Sequence, residues 1–220
     1  AFAIILSVAG VNWTMASDLL GYDSVNYGLF YDDVQYSRIA IKHYQVAKDL
    51  KAKRMLMGEC GHAHKATMPI ADRVVPMELH VPSESALVLI EDLVVNEKIM
   101  LDPSRNDDIV TTLHDPCNMV RLMGIVDPQR EVIKAVVPEN RFREMTPHGV
   151  NNYCCGGGSG FAVMSPYNFT DWRINVASRM KFKQIIDAFQ DEMAANLAGG
   201  THHAFRDMGG AFMVALVLIL

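Results

Sequence analysis

An α/β fold built from two pseudo-repeated halves with mostly parallel sheets is what this sequence predicts. Three observations carry that reading. Short apolar runs alternate with helical patterns along most of the chain. Half of the 220 residues are apolar, enough to build a core. Tyr22–Phe30 can be laid on Tyr153–Phe161, and although only the end Tyr and Phe match, a long amphipathic helix pattern follows each segment.

The elements follow in order. Ile4–Ala9 reads as a buried strand. Asp33–Leu50 spaces Val34, Ile39, Ile41, Tyr44, Val46 and Leu50 as an amphipathic helix does. Arg54–Gly58 is a short strand ending in Gly58-Glu59-Cys60-Gly61, and His62–Asp72 suits a helix after that turn. Arg73–His80 reads as a strand, placed at an edge or bend by Pro76. Ser83 opens a helix to about Glu97. Asp108–His114 is a strand, and Asp115-Pro116-Cys117 starts a helix with proline early in its first turn. Pro128 opens another helix, Arg141–Met145 is a short strand, Asn152–Gly160 is a glycine-rich loop and Asn168–Met193 is one long helix. The Trp172–Phe189 stripe reads as a helix face packing on the sheet.

The domain reading is 1–97 for an incomplete first half, 98–197 for the second, and 198–220 for a separate tail. Gly199-Gly200, His202-His203 and Gly209-Gly210 break the helical pattern there. Ala1–Ala9 is apolar from the first residue, without the basic flank or cleavage site of a signal peptide, so the first half reads as truncated at its N-terminus. Ala211–Leu220 is apolar but half the length of a membrane span of about 20 residues.

A formal charge of −5, with 20 Lys+Arg against 25 Asp+Glu, argues against nucleic acid as a partner. Four cysteines do not make a disulfide scaffold, and two of them are adjacent. Reduced thiols and a cytoplasmic compartment follow. Gly156–Gly160 is no phosphate loop, because the Lys-Ser/Thr ending is missing.

The chemistry gathers at Cys117, then 36 residues, then Cys154-Cys155-Gly156-Gly157-Gly158. Soft metals and iron–sulfur clusters take thiolates converging on one point. Adjacent cysteines suit neighbouring irons of a larger cluster better than one small ion. Gly156 and Gly157 allow close backbone approach and amide donation to sulfur. A helix start at Cys117 predicts a lowered thiol pKa.

This spacing resembles the cysteine-rich CCG domain of heterodisulfide reductase catalytic subunits. Gly58-Glu59-Cys60-Gly61-His62-Ala63-His64-Lys65, His114-Asp115-Pro116-Cys117-Asn118 and Tyr153-Cys154-Cys155-Gly156-Gly157-Gly158 look like the DsrK branch, from the membrane redox complex of dissimilatory sulfur metabolism. The resemblance implies two CCG-type halves and a noncubane [4Fe–4S] cluster. It implies Cys117, Cys154 and Cys155 as ligands, with Cys60 in a degenerate first copy. It also implies electron transfer between a membrane cytochrome or quinone-oxidising subunit and a disulfide or trisulfide on a small sulfur-carrier protein, at the inner face of the membrane. The family's closing Cys-x-x-Cys and upstream ferredoxin-like part are missing, so the ligand set in this chain is incomplete.

Other readings stay open. The cysteines suit a core as well as a metal. Cys60, His62, His64 and Cys117 could form a zinc site, at a spacing that matches no standard zinc pattern. His62, His64 and His114 are candidate proton donors to a reduced sulfur, or ordinary hydrogen-bonded histidines. A non-catalytic relay that holds a cluster or zinc, and an iron–sulfur subunit of lactate or glycolate oxidation, are the alternative functions.

Overall fold

In the computed structural model the described residues are 2–17, 32–58, 61–157 and 172–198. Cys60, the Tyr22–Phe30 segment, the loop beyond Gly157 and the 199–220 tail lie outside them. Two units divide the chain, one comprising residues up to Met100 with Asp127–Val132, the other Leu101–Val126 with residues from Ile133 onward. Both contain helices and a short parallel strand pair, an α/β construction.

The first unit begins with α1, Phe2–Val8, where the sequence predicts a strand. A short continuous apolar run suits either element, and periodicity cannot separate them. Helical spacing here turns Leu6 into the core beside Leu89 and Leu93, while Ile4 and Val8 face out. Gly10, at φ +67°, ends the helix: its N–H donates to Ser7 O and that of Val11 to Leu6 O. This is a Schellman ending.

Helix α2, Asp33–Asp49, is capped by the Asp32 side chain, which accepts from Gln35 N at 2.8 Å. Its buried face carries Tyr36, Ala40, Tyr44 and Ala47 into one core with Ala66, Ala71, Val75 and Val81. Strand β1, Met55–Met57, leads to α3, Gly61–Lys65, a π-helical turn Ala66–Ile70 holding Pro69, and α4, Ala71–Val74. Proline cannot donate to the helical ladder. The Tyr36 hydroxyl donates to Ala66 O at 2.5 Å and that of Tyr44 to Thr67 O at 3.2 Å, tying α2 to this turn.

Two sequence expectations shift here. Residues 73–80 form the end of α4 and a 3-10 turn, Met77–Leu79, instead of a strand. Pro76 sits at the entry of that turn, whose own bonds Leu79 N to Pro76 O and His80 N to Met77 O close it locally. Ser83 lies in strand β2, Ser83–Ser85, parallel to β1 with Met55 opposite Ser83. The helix α5, Ala86–Val95, starts three residues later, where Ser85 Oγ accepts from Leu87 N at 3.2 Å.

In the second unit β3, Thr111–Thr112, pairs in parallel with β4, Phe142–Arg143. Between them lie α6, Cys117–Val120, and α7, Pro128–Val136, whose first turn belongs to the first unit. Leu113, Ile133 and Val137 pack together with Val136 and Phe142. The long C-terminal helix of the sequence reading is three pieces: a π-helical stretch Arg173–Ala177, α8, Arg179–Ala188, and α9, Gln190–Ala198. Ser178 breaks the first junction by turning its hydroxyl back onto Arg173 O and Ile174 O, at 2.8 and 2.9 Å.

The predicted packing face of this segment is reversed. Trp172, Ile174, Val176, Met180, Phe182 and Ile186 are exposed, and Ser178, Lys181 and Gln184 are buried. The buried polar stripe meets hydrogen-bonding partners that an apolar face would leave unsatisfied.

Candidate metal centre

Chain geometry brings the separated cysteine segments of the second unit together. The Cys117 segment enters through Asp115, which is 1% exposed. Its carboxylate accepts from Gly149 N at 2.6 Å, and its carbonyl accepts from the Asn152 side-chain amide. Gly149 has φ +60°, and a Cβ there would press on Val126 at 3.3 Å. Arg121, one turn beyond Cys117, donates to Val150 O at 2.7 Å and to Asn152 O. These bonds fix the chain just ahead of Cys154 against the start of α6.

Cys117, Cys154 and Cys155 are free and exposed. Partial burial of its sulfur, with the neighbouring Cys155 and Cys154 thiols, pushes the Cys117 thiol up. The lowered value expected from a helix start is thereby corrected. Helix α6 has only four residues, so its dipole is small, and three sulfurs near one another resist acquiring charge together.

Backbone amides aim at two of the sulfurs. Gly156 N donates to Cys154 Sγ at 3.3 Å and Gly157 N to Cys155 Sγ at 3.4 Å. Gly156 adopts φ +81°, and a Cβ there would meet Arg173 O at 2.8 Å and Ser178 Cβ at 2.9 Å. Arg173 Nε closes the other side by donating to Gly156 O at 2.9 Å.

His114 precedes this segment. Its Nδ1 is buried with no hydrogen-bond partner among the described residues, as is Oδ1 of Asn118. Burial, then the nearby Lys181 charge, push His114 down to about 4, so its imidazole is neutral near pH 7. Three exposed thiols and two amide-to-sulfur bonds bring soft donors to this loop, but as placed here the three cysteines do not close into a group able to hold a metal ion.

His62 and His64 lie in the first unit, on α3. His64 is fully buried, with Nε2 2.9 Å from Ser85 Oγ, the cap of α5. Cys60 lies outside the described residues, and among those residues no group of three or more His, Cys, Asp or Glu is placed to hold a metal ion. Asp115, Arg121, Asn152, Lys181 and Gln184 escaped the sequence reading as site residues. The spacing Ser178, Lys181, Gln184 on one helical face was the available signal.

Comparison with known proteins matches residues 111–194 to the cysteine-rich domain family named CCG. That match covers the segment holding Cys117, Cys154 and Cys155. The matched residues run from β3 through α8 into the first part of α9. The chain is similar to an Hdr-like menaquinol oxidoreductase iron-sulfur subunit of Archaeoglobus profundus, 29% identical over 61% of this chain and 30% of that protein. It is 41% identical to the iron-sulfur subunit 2 of the same kind from Archaeoglobus fulgidus, over 34% of this chain and 13% of that protein. It is 28% identical to one component of the dihydromethanophenazine:CoB–CoM heterodisulfide reductase of Methanosarcina mazei, over 86% of this chain and 45% of that protein. The chain spans less than half the length of each of these relatives. No solved structure matches it. No described helix is long and apolar enough to cross a membrane.

Proposed function

We propose that this chain is the cluster-bearing part of an iron–sulfur oxidoreductase subunit of the heterodisulfide-reductase-like kind. The supporting observation is that Asp115, Asn152 and Arg121 bond the Cys117 segment to the segment leading into Cys154-Cys155, with glycine amides donating to two of the sulfurs. Cys117, Cys154 and Cys155 would hold a [4Fe–4S] cluster of noncubane type, with Cys60 as the remaining thiol of the chain. Such a group, when bound, takes up and releases single electrons.

The chain's own residues prepare that site. Gly156 and Gly157 present N–H groups that stabilise sulfur-centred negative charge. Asp115 and Asn152 hold the two cysteine segments in register. His114, a neutral imidazole, has an Nδ1 with no hydrogen-bond partner among the described residues, three positions ahead of Cys117, and is the candidate for handling a proton at a reduced sulfur. His62 and His64 are weaker candidates for that role.

The partners follow from the names of the relatives and from the DsrK-like motifs. They are a membrane subunit that oxidises a quinol, and a disulfide or trisulfide substrate presented by a small DsrC-like sulfur carrier. The chain would then work in sulfur metabolism, in the cytoplasm at the inner face of the membrane.

Anaerobic reconstitution with iron and sulfide tests the reading. About four irons per chain are expected, with a paramagnetic signal in the oxidised state and loss of iron in a Cys154→Ser/Cys155→Ser variant. Retention of zinc without iron, or equal iron in the variant, would overturn it.

A further inference from the structure

Large apolar side chains exposed singly are ordinary on a protein surface. Six of them, however, fall within residues 172–186: Trp172, Ile174, Val176, Met180, Phe182 and Ile186, exposed by 41 to 58%. Trp172, Val176 and Met180 recur four apart, as do Phe182 and Ile186, so the segment carries two apolar rows. Arg179 and Lys183, again four apart and exposed, run between the rows. Lys183 is tied to Asp187 at 2.7 Å. Arg179 has no ion-pair partner among the described residues.

This arrangement inverts that of an ordinary surface helix. Ser178, Lys181 and Gln184 take the protein side, each hydrogen-bonded there, and the apolar rows are left outside. Rotating the helix to hide the rows would strip those polar groups of their partners. Charge separates the occupants that could cover the face. A second copy laid antiparallel, with Trp172 against its Ile186 and Val176 against its Phe182, also sets Arg179 against Arg179, two like charges at the axis. An anionic bilayer surface accommodates both features. Apolar side chains enter the acyl boundary there, and arginine and lysine stay among the headgroup phosphates. Tryptophan at the end of one row suits the same boundary.

We propose that the exposed face of residues 172–186 is a membrane-surface site. It lies along an anionic lipid bilayer, with its two apolar rows in the acyl boundary and Arg179 at the headgroup phosphates. The partner is the lipid itself, a step beyond the quinol-oxidising membrane subunit invoked above. The contact needs no metal at the cysteines, so its test and iron reconstitution succeed or fail independently.

The test uses the full chain carrying Trp13→Phe, which leaves Trp172 as its one tryptophan. Vesicles containing phosphatidylglycerol should sediment the chain and shift Trp172 emission to the blue. Phe182→Glu with Ile186→Glu should weaken that binding at least about tenfold. Arg179→Glu, at an exposed position, should weaken it about tenfold and leave binding to pure phosphatidylcholine vesicles unchanged. Absence of sedimentation, or equal binding by parent and variants, sinks the proposal. So does sedimentation without an emission shift, which would place another segment, such as Ala211–Leu220, in the lipid. Dimerisation without vesicle binding would give the face to a second copy instead.

Discussion

Gly156 shows how much one backbone position decides. Its φ of +81° alone disfavours any side chain, and the first atoms a Cβ would strike are backbone and a short serine stem, which cannot swing aside. Gly157 has no such φ, and among the described residues a Cβ there would touch only Cys155 Sγ, at 3.3 Å. Gly156→Ala should therefore cost about 2–3 kcal/mol, and Gly157→Ala less than about 1 kcal/mol, in urea unfolding of the full chain. Equal losses would mean that the contacts behind Gly156 do not hold the loop. In the sequence these glycines look alike. Nothing in the run says which one Arg173 and Ser178 will close upon, because both come from residues more than a dozen positions away.

At the scale of elements, helix ends were less legible than helices. Both α2 and α5 end in the same hydrogen-bond pattern as α1, but with Lys51 and Glu97 where α1 has glycine. Lys51 N donates to Lys48 O and Ala52 N to Ala47 O; Glu97 N donates to Val94 O and Lys98 N to Leu93 O. The two side chains sit at φ 53° and 54° and are exposed. A left-handed conformation costs a side chain about 1 kcal/mol, a strain that glycine lacks. Lys51→Gly and Glu97→Gly should each raise stability by about 0.5–1 kcal/mol, additively, in thermal melts of single and double variants. A fall in melting temperature for either would show that the gain in unfolded-chain entropy outweighs the relief. The helix Asp33–Leu50 was readable because its apolar spacing and its Asp32 cap agree. The strand predicted at Ile4–Ala9 was not, because a short apolar run carries no period and the tertiary contact with Leu89 and Leu93 chose a helix.

For the molecule as a whole, the buried imidazole of His114 makes stability depend on pH. The group titrates near 6.5 when unfolded and about 4 when folded. Between these values the unfolded chain binds more protons, so stability rises with pH there. The contribution is undiminished above 6.5 and is lost progressively as pH falls toward 4. Lys181 acts with burial to depress His114, while Asp115 opposes them. Moving from pH 7 to pH 5 should lower unfolding free energy by about 2 kcal/mol through this group, and His114→Leu should remove that part of the slope. Urea unfolding at the two pH values, read on both chains, checks it; parallel slopes would place the acid sensitivity elsewhere.

Taken alone, the sequence determined the α/β class, the long helix at Asp33, the start of α7 at Pro128 and the resemblance that assigns the CCG segment. Those features rest on local propensity and on spacings along the chain. Tertiary structure decided which sulfurs receive glycine amides, that the Cys117 thiol is pushed up instead of down, and that α8 buries Lys181 and Gln184 while showing Phe182 and Ile186 to solvent. The physical reason is that desolvation and hydrogen-bond satisfaction are properties of surroundings. A hydrophobic period predicts which helix face should be buried only where the neighbours are apolar. Here the neighbours are Asn152 and the carbonyl of Pro147, and they select a polar face.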